Sequence, residues 1–526
     1  MKASLTLISI SLVLLLSTAL SGCSTQAQGY SPATFALSNT KNTRLGQGIA
    51  KEALRHQAPS GFHLLGNGLD AFVTRLLLIE AAEQTLDVQY YLYHDDATAK
   101  LFTHYLLRAA DRGVRVRMLL DDFGHDGQEK LFSALIQHPN ISIRLFNPFS
   151  NRAMPYIDFL FRFSRVNRRM HNKSFIADNQ AAIIGGRNIG NTYFAADEYV
   201  NFADLDVLGV GKFAQEVSGA FDQYWNHKLS IPIQQLERAA HPLALPAIRR
   251  QLADTSKNQR SLAYLARLES LRLVEELKHG ELELHWAEYS LIFDDPDKIL
   301  NSTKDDTGHM APALIALLDK VHSEALIVSP YFIPEDEGVK NFADWVESGA
   351  KITILTNSLA ANDVPLVHSG YASYRKALIE AGVELWELQP TAKIKIKGQR
   401  NRSLSSSSKA SLHAKTMIFD RDTLFVGSMN MDPRSINLNT EIGVLIYSEK
   451  LADYASQAFL EELPAHAWRL DLTTAERWWG PSEQLIWLDE STTPATIISR
   501  DSEPEAGRWI RLKAWIFGHL PLDSML

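Results

Sequence analysis

The feature that most constrains the fold of this chain is an internal repeat. Three apolar runs return in the same order: 86–91 as 326–331, 114–120 as 351–355, and 141–146 as 383–388. In both copies, segments with helical periodicity separate the runs. Short β-branched runs that alternate with amphipathic helices are typical of α/β units. The sequence therefore predicts two pseudo-symmetric α/β sandwich halves, each a mainly mixed or parallel sheet flanked by helices.

The repeat also predicts the organisation of the 526-residue chain, whose length suits two domains with extensions. The segment at 236–307 has no counterpart in the repeat and is rich in Leu, Glu and Arg, which favours a largely helical linker. The predicted boundaries are 1–22 for a signal peptide, 23–60 for a tether, 61–235 for the first half, 236–307 for the linker, 308–468 for the second half and 469–526 for a C-terminal extension.

Composition limits the class of partner. With 45% hydrophobic and 22% charged residues, the chain is typical of a folded globular protein. Its formal net charge of -8 argues against a protein built to coat nucleic acid, which usually carries a basic domain or stripe. We therefore expect no nucleic-acid partner.

The N-terminal sequence predicts a location in the bacterial cell envelope. Lys2 precedes an apolar run at 5–20 that ends in Leu-Ser-Gly-Cys, which is typical of a secretory leader and resembles the lipobox of bacterial lipoproteins. Cys23, the only cysteine, would then be lipidated and begin the mature chain. An uncleaved transmembrane anchor is the alternative. Both place the chain on a membrane, facing the periplasm, and Ser24 favours the outer membrane by resemblance to lipoprotein sorting rules.

The chemistry-bearing motif occurs twice, in register with the repeat. Each copy has a histidine, a lysine two residues later, an aspartate after four more residues, and then a glycine turn that ends in asparagine. The two constellations are His171, Lys173, Asp178 and Asn188 in the first half, and His413, Lys415, Asp420 and Asn430 in the second. A single His-x-Lys is usually a coincidence of surface residues, whereas two copies 242 residues apart within a structural repeat predict one composite site.

The residue types define a mechanism for a phosphodiester. In a strand, the histidine and the lysine of each motif would point to the same face. The lysines and the asparagine amides can hold the non-bridging oxygens and the charge of the transition state. One neutral imidazole can attack phosphorus while the second, protonated, donates to the leaving oxygen. This chemistry needs no cofactor, and no spacing of cysteines, histidines or carboxylates predicts a metal site.

Each histidine needs a carboxylate on its other ring nitrogen, which fixes the tautomer and stabilises the charged form. The candidates are Asp204, in Phe-Ala-Asp-Leu-Asp-Val, and Glu441, in Asn-Thr-Glu. The motif aspartates Asp178 and Asp420 lie at an odd spacing from their histidines, so we assign them to holding the fold.

The duplicated motif resembles the signature of the phospholipase D superfamily, and the resemblance extends from 66 to 468. Within the superfamily, the runs at 86–91, 168–175, 355–363 and 411–416 are most similar to the bacterial cardiolipin synthases of the C type. The resemblance implies a phospholipase D-type fold with one shared active site, phosphatidylethanolamine as donor lipid, and Asp204 and Glu441 as the orienting carboxylates. It also implies His171 as the nucleophile and His413 as the acid, an order that the residues alone leave open. The lipoprotein leader departs from these synthases.

Basic residues lie shortly before each motif and could flank the mouth of the site. They are Arg162, Arg165, Arg168 and Arg169 in the first half, and Lys393, Lys395, Lys397, Arg400 and Arg402 in the second. Phenylalanines at 159, 161 and 163 interleave the first group, which suits contact with anionic lipids or, equally, a solvated loop with buried rings. A serine run at 403–408 predicts a mobile loop. The tail at 508–517 suits either a bilayer interface or a helix packed on its own domain.

Three enzymatic functions compete: phosphatidyl transfer that makes cardiolipin, phospholipid hydrolysis, and nucleic-acid cleavage. A non-enzymatic scaffold is the remaining alternative, which both complete motifs argue against. The predicted partners are phosphatidylethanolamine, phosphatidylglycerol and the membrane, and the sequence identifies no protein partner.

Overall fold

A computed structural model describes residues 32–125, 127–152, 154–236, 241–390, 409–477 and 480–518. The predicted signal peptide, Cys23, the second basic group at 393–402 and the serine run at 403–408 lie outside the described residues. All elements given below belong to one compact unit that begins at Phe35.

The first half alternates strands and helices as the repeat predicts. Its elements are α1 (Arg44–Ala53), β1 (Ser60–Leu65), α2 (Gly68–Ala81), β2 (Thr85–Leu92), α3 (Ala97–Asp111), β3 (Arg115–Gly124), α4 (Glu129–Leu135), β4 (Ile141–Phe146), α5 (Pro155–Phe161), α6 (Phe163–Val166), β5 (Ser174–Ala177), β6 (Ala181–Gly185), a 3₁₀ turn (Asn191–Tyr193), β7 (Val200–Ala203), β8 (Asp206–Gly211), α7 (Lys212–Trp225), β9 (Ser230–Pro232) and α8 (Ile233–Leu236).

The rest of the chain repeats this order after a connecting segment. The connection holds α9 (Ala244–Lys257), α10 (Gln259–Glu269), α11 (Arg272–His279), β10 (His285–Phe293) and a 3₁₀ turn (Pro296–Ile299). The second half has α12 (Ala311–Leu318), β11 (Glu324–Val328), α13 (Glu335–Glu347), β12 (Lys351–Asn357), α14 (Pro365–Ala372), α15 (Arg375–Glu380), β13 (Glu384–Leu388), β14 (Lys409–Leu412), β15 (Thr416–Phe419), β16 (Thr423–Gly427), α16 (Pro433–Asn437), β17 (Ile442–Tyr447) and α17 (Glu449–His466). The tail has β18 (Ala467–Arg477), β19 (Gly480–Asp489), β20 (Thr496–Arg500) and α18 (Arg508–Phe517).

The two halves carry equivalent mixed sheets, which confirms the predicted fold. Strands β4, β3 and β2 are parallel, and β5, β6, β8 and β1 continue the first sheet antiparallel. In the second half, β13, β12 and β11 are parallel, and β15, β16 and β17 continue antiparallel. Glycines at the same point of each copy allow the helix to turn into the next strand, because Gly113 and Gly349 adopt positive φ of 97° and 102°.

The predicted linker contains a strand as well as helices. The segment at 236–307 begins with three helices but also contains β10, which pairs antiparallel with β1 of the first half and with β17 of the second. This strand therefore joins the two sheets. The predicted boundaries stay a proposal, with β10 as the strand between the two sheets.

The halves pack against each other through a shared core. Buried side chains of α7, such as Phe213 and Phe221, lie in one cluster with Leu326 and Val426 of the second half. In the tail, β18 extends the second sheet by pairing with β13, and α18 lies against α14 with none of its residues buried. Within the described part of the chain, no helix is both long and apolar enough to span a membrane.

Candidate active site

The two histidines exchange their carboxylate partners between the halves. Nδ1 of His171, in the first half, lies 2.9 and 2.8 Å from the carboxylate oxygens of Glu441 in the second. Nδ1 of His413, in the second half, lies 2.7 Å from Oδ2 of Asp204 in the first. Both carboxylates are buried. Each half therefore supplies one histidine and the carboxylate that orients the other one.

Backbone pairing holds each exchange in place. The N–H of His171 donates to the carbonyl of Thr440 at 2.8 Å, and the N–H of His413 donates to the carbonyl of Ala203 at 2.8 Å. Each accepting residue directly precedes the orienting carboxylate. In the second case the contact continues a parallel pairing of β14 with β7. The carboxylates are thus fixed relative to the histidines by main-chain hydrogen bonds as well as by their own side chains.

The predicted position of the motifs within strands is wrong. Residues 171–173 precede β5, and residues 413–415 connect β14 to β15, so both His-Lys pairs lie in irregular chain. Each lysine instead contacts the backbone of the histidine in its own motif. Nζ of Lys173 donates to the carbonyl of His171 at 2.7 Å, and Nζ of Lys415 donates to the carbonyl of His413. Both lysines remain buried beside the rings.

The two asparagines lie at the carboxyl ends of the glycine turns and are buried. Oδ1 of Asn188 accepts from the N–H of Leu92 at 3.1 Å, and its Nδ2 donates to the hydroxyl of Tyr193 at 3.0 Å. Nδ2 of Asn430 donates to Oγ of Ser435 at 3.3 Å, whereas its Oδ1 is buried with no hydrogen-bond partner among the described residues.

Burial and repulsion between neighbouring cations lower the pKa values of the two histidines and the two lysines. Burial, together with Lys173 and Lys415, lowers the pKa of His171 well below its ordinary value. Burial and Lys415 lower the pKa of His413 to about 4. Burial also lowers the pKa of Lys173 to about 7 and that of Lys415 to about 8. At neutral pH both imidazoles are therefore neutral, as a nucleophile requires, and a phosphodiester anion bound between them would favour protonation of one ring.

The carboxylate of Glu441 is also sensitive to its surroundings. Burial raises its pKa to about 7, against the opposing effects of Lys173 and of the Ser428 hydroxyl, which donates to Oε2. The charge of this carboxylate therefore depends on its cationic neighbours. A positive charge on the His171 ring would favour the ionised form of Glu441.

The motif aspartates lie away from the histidines and organise the start of a strand in each half. The carboxylate of Asp178 accepts from three consecutive backbone N–H groups, those of 83, 84 and 85, at 2.8–2.9 Å. Asp420 accepts in the same way from the N–H groups of 322, 323 and 324. These contacts are consistent with the structural role that we assigned to both residues.

The sequence analysis did not identify the tyrosines beside the two histidines or the Ser428 hydroxyl. Tyr91 meets the His171 ring edge-on at 5.0 Å, and Tyr193 meets the His413 ring edge-on at 5.2 Å. Tyr91 ends the repeated run at 86–91, which was the available signal. Ser428 occupies the second position of its glycine turn, where the first half has Gly186.

The first basic group is largely structural. Arg169 is buried and donates to Asp121 at 2.8 Å, and Arg165 and Arg168 donate to backbone carbonyls of 148, 299 and 301. Arg162, in contrast, is exposed. Among the described residues, no group of three or more His, Cys, Asp and Glu side chains could hold a metal ion.

Comparison with known proteins agrees with this architecture. The family described as "Cardiolipin synthase, PLD-like domain" matches residues 76–225 and 314–463. Cardiolipin synthase C of Escherichia coli K12 is 40% identical over 488 residues, which cover 92% of this chain and 100% of that protein. A cardiolipin synthase of Geobacillus thermodenitrificans is 24% identical, covering 78% of this chain and 67% of that protein. The crystal structure of a phosphatidylserine synthase from Haemophilus influenzae has the same fold, with a TM-score of 0.54 at 16% identity, covering 81% of this chain and 91% of that one.

The duplicated fold and the paired histidine-lysine site are those of a phospholipase D superfamily enzyme. The family match covers both halves with the motif in each, and the Escherichia coli relative matches nearly the whole chain. The chain therefore belongs to the phospholipase D-like cardiolipin synthase family.

Proposed function

We propose that this protein is a membrane-anchored phosphatidyltransferase that makes cardiolipin through a phosphohistidine intermediate. The observation that carries the proposal is the exchange of carboxylates: Glu441 holds His171, and Asp204 holds His413, each through Nδ1. This arrangement leaves Nε2 of each ring as the reacting nitrogen. It also makes a complete acid-base pair only when both halves are present.

The first step forms the intermediate. Nε2 of the neutral His171 ring attacks phosphorus of the donor lipid, and the bond from phosphorus to the headgroup oxygen breaks. The protonated His413 ring gives its proton to that oxygen, so the headgroup leaves as an alcohol. Lys173 and Lys415 stabilise the charge on the non-bridging oxygens. Glu441 stabilises the positive charge that develops on the attacking ring.

The second step releases the product. A hydroxyl of the acceptor attacks phosphorus and passes its proton to His413, while the bond between phosphorus and His171 breaks. Water is a competing acceptor at tens of molar, so transfer requires that the lipid hydroxyl be held in line at high effective concentration. Anchoring the enzyme on the membrane that contains the acceptor supports this condition.

The donor is phosphatidylethanolamine or phosphatidylglycerol, and the acceptor is phosphatidylglycerol. Similarity to proteins named cardiolipin synthase over nearly the whole chain supports these lipids. The net charge of -8 argues against a nucleic-acid substrate. The leader supports a location on the periplasmic side of the envelope, where a lipid on Cys23 anchors the protein. The outer membrane is the favoured location.

The test uses the purified enzyme in mixed micelles of phosphatidylethanolamine and labelled phosphatidylglycerol. Labelled cardiolipin and free ethanolamine are the expected products, and His171→Ala is the matched inactive control. Excess chelator should leave the rate unchanged. Phosphatidic acid as the main product would instead identify a hydrolase, and cleavage of DNA with inert lipids would identify a nuclease.

A further inference from the structure

The short helix α5 presents an apolar surface to solvent close to the active site. Tyr156, Leu160 and Phe161 are 60%, 74% and 80% exposed. Tyr156 and Leu160 are four residues apart and therefore share one face of the helix, and Phe161 adjoins it. Single exposed apolar residues are common on soluble proteins. Three large ones on a seven-residue helix form a patch that indicates an interaction surface.

A row of aromatic rings connects this patch to the first histidine. Phe159, on the same helix, has its ring 6.3 Å from that of Phe123. The Phe123 ring stacks on Tyr91 at 6.0 Å with an interplanar angle of 2°, and Tyr91 meets His171 edge-on at 5.0 Å. Three rings thus connect the helix that carries the patch to the His171 ring.

A cation lies at the end of the patch. Arg162 directly follows α5 and is exposed, 4.0 Å from Asp158 at the closest approach of their charged groups. A helix of seven residues is about 10 Å long, too short to span a bilayer but similar in length to the depth of the headgroup layer. Exposed apolar side chains beside a cation match a lipid surface that contains anionic phosphatidylglycerol.

We propose that α5 docks the mouth of the active site on the bilayer, with Tyr156, Leu160 and Phe161 inserted among the lipids and Arg162 at the anionic headgroups. The proposal rests on the function proposed above, because it names the surface from which the site takes its lipids. Docking at this helix brings the phosphodiester of a lipid to the row of rings that leads to His171. The lipid can then reach the site without leaving the membrane entirely.

The first experiment compares two forms of substrate. The full-length Leu160→Ser/Phe161→Ser variant should act at least tenfold more slowly than the wild type on vesicles of phosphatidylethanolamine and phosphatidylglycerol. Its rate on monomeric short-chain phospholipids should stay within twofold, because they need no docking. The matched control is Leu54→Ser/Tyr454→Ser, which removes apolar side chains that are 89% and 52% exposed, directly after α1 and on α17, and should change neither rate.

Unchanged vesicle activity in the α5 variant would overturn the proposal, as would an equal loss on both substrates, which would indicate damage to the site itself. A second readout is independent of turnover. Phe161→Trp should show indole fluorescence that brominated lipids in the vesicles quench beyond the wild-type level, and Leu54→Trp should not. Absence of the extra quenching would overturn docking even in an active enzyme, whereas quenching without cardiolipin formation would refute only the proposed function.

Discussion

A single methyl group added at Gly186 should displace the Asp204 carboxylate, and so tests whether catalysis depends on the position of that carboxylate. A Cβ added there would lie 2.2 Å from Oδ1 of Asp204 and 2.8 Å from Oδ2. Ordinary contact needs about 3.4 Å or more, so Gly186→Ala must displace the carboxylate by about 1 Å. Asp204 lies only 2.7 Å from Nδ1 of His413, and a shift of that size breaks the contact. Misplacement of a catalytic group by about 1 Å can cost about 100-fold in rate.

The assay for Gly186→Ala is the steady-state rate on mixed micelles, with thermal unfolding measured on the same preparation. We expect kcat to fall by about 100-fold. Overpacking should lower the free energy of unfolding by about 1–3 kcal/mol, so the protein remains folded at the assay temperature. Ser428→Ala at the equivalent position keeps the existing Cβ and removes only the hydroxyl that donates to Glu441, so its loss should be much smaller. Wild-type activity in Gly186→Ala would refute the claim that the carboxylate must stay on His413.

Four further outcomes are expected. His171→Ala and His413→Ala should each abolish turnover, and the double variant should be no worse than either single one, which a rate comparison checks. The pH profile of kcat/KM should fall above the His413 pKa of about 4, because the free enzyme then loses the proton that His413 gives to the leaving oxygen, and should fall more steeply above the Lys173 pKa of about 7, where the lysine charge is also lost; a level profile between pH 4 and 7 would contradict this. Asp178→Asn should cost about 2 kcal/mol in chemical unfolding through lost charge-assisted hydrogen bonds, yet leave the folded enzyme active. Cys23→Ala should prevent palmitate labelling and release the protein from membranes, and an unlabelled wild type would favour an uncleaved anchor.

The repeat made much of the fold predictable, because strand order follows chain order within each half. The runs at 86–91 and 114–120 became the adjacent parallel strands β2 and β3, and their copies became β11 and β12. Strand β10 was missed because it lies in a segment of helical composition. Its pairing with β1 and β17 is a tertiary interaction, which overrides local preference.

The members of the site could also be chosen from residue types and spacing, but their pairing could not. Glu441 and His171 are 270 residues apart, and the spacing of neither residue indicates which half its partner comes from. The assignment depends on how the halves pack across their shared core. The strand argument for His171 and Lys173 failed for a related reason: β5 begins only at Ser174, where pairing with β2 begins.

The crossed carboxylates link catalysis to the assembly of the two halves. Glu441 is further held from the connecting segment, because its N–H donates to Asp294 at 2.8 Å and Asp294 pairs with the buried Lys298 at 2.9 Å. Buried charges of this kind are costly unless partners compensate them, and here the partners come from both halves and from the segment between them. Separation of the halves would leave each histidine without its carboxylate, and would remove Lys173 from Glu441 and Lys415 from Asp204. The same contacts that stabilise the interface therefore set the protonation of the reacting nitrogens, so a substitution that loosens the interface should alter the pH dependence of the reaction before it abolishes folding.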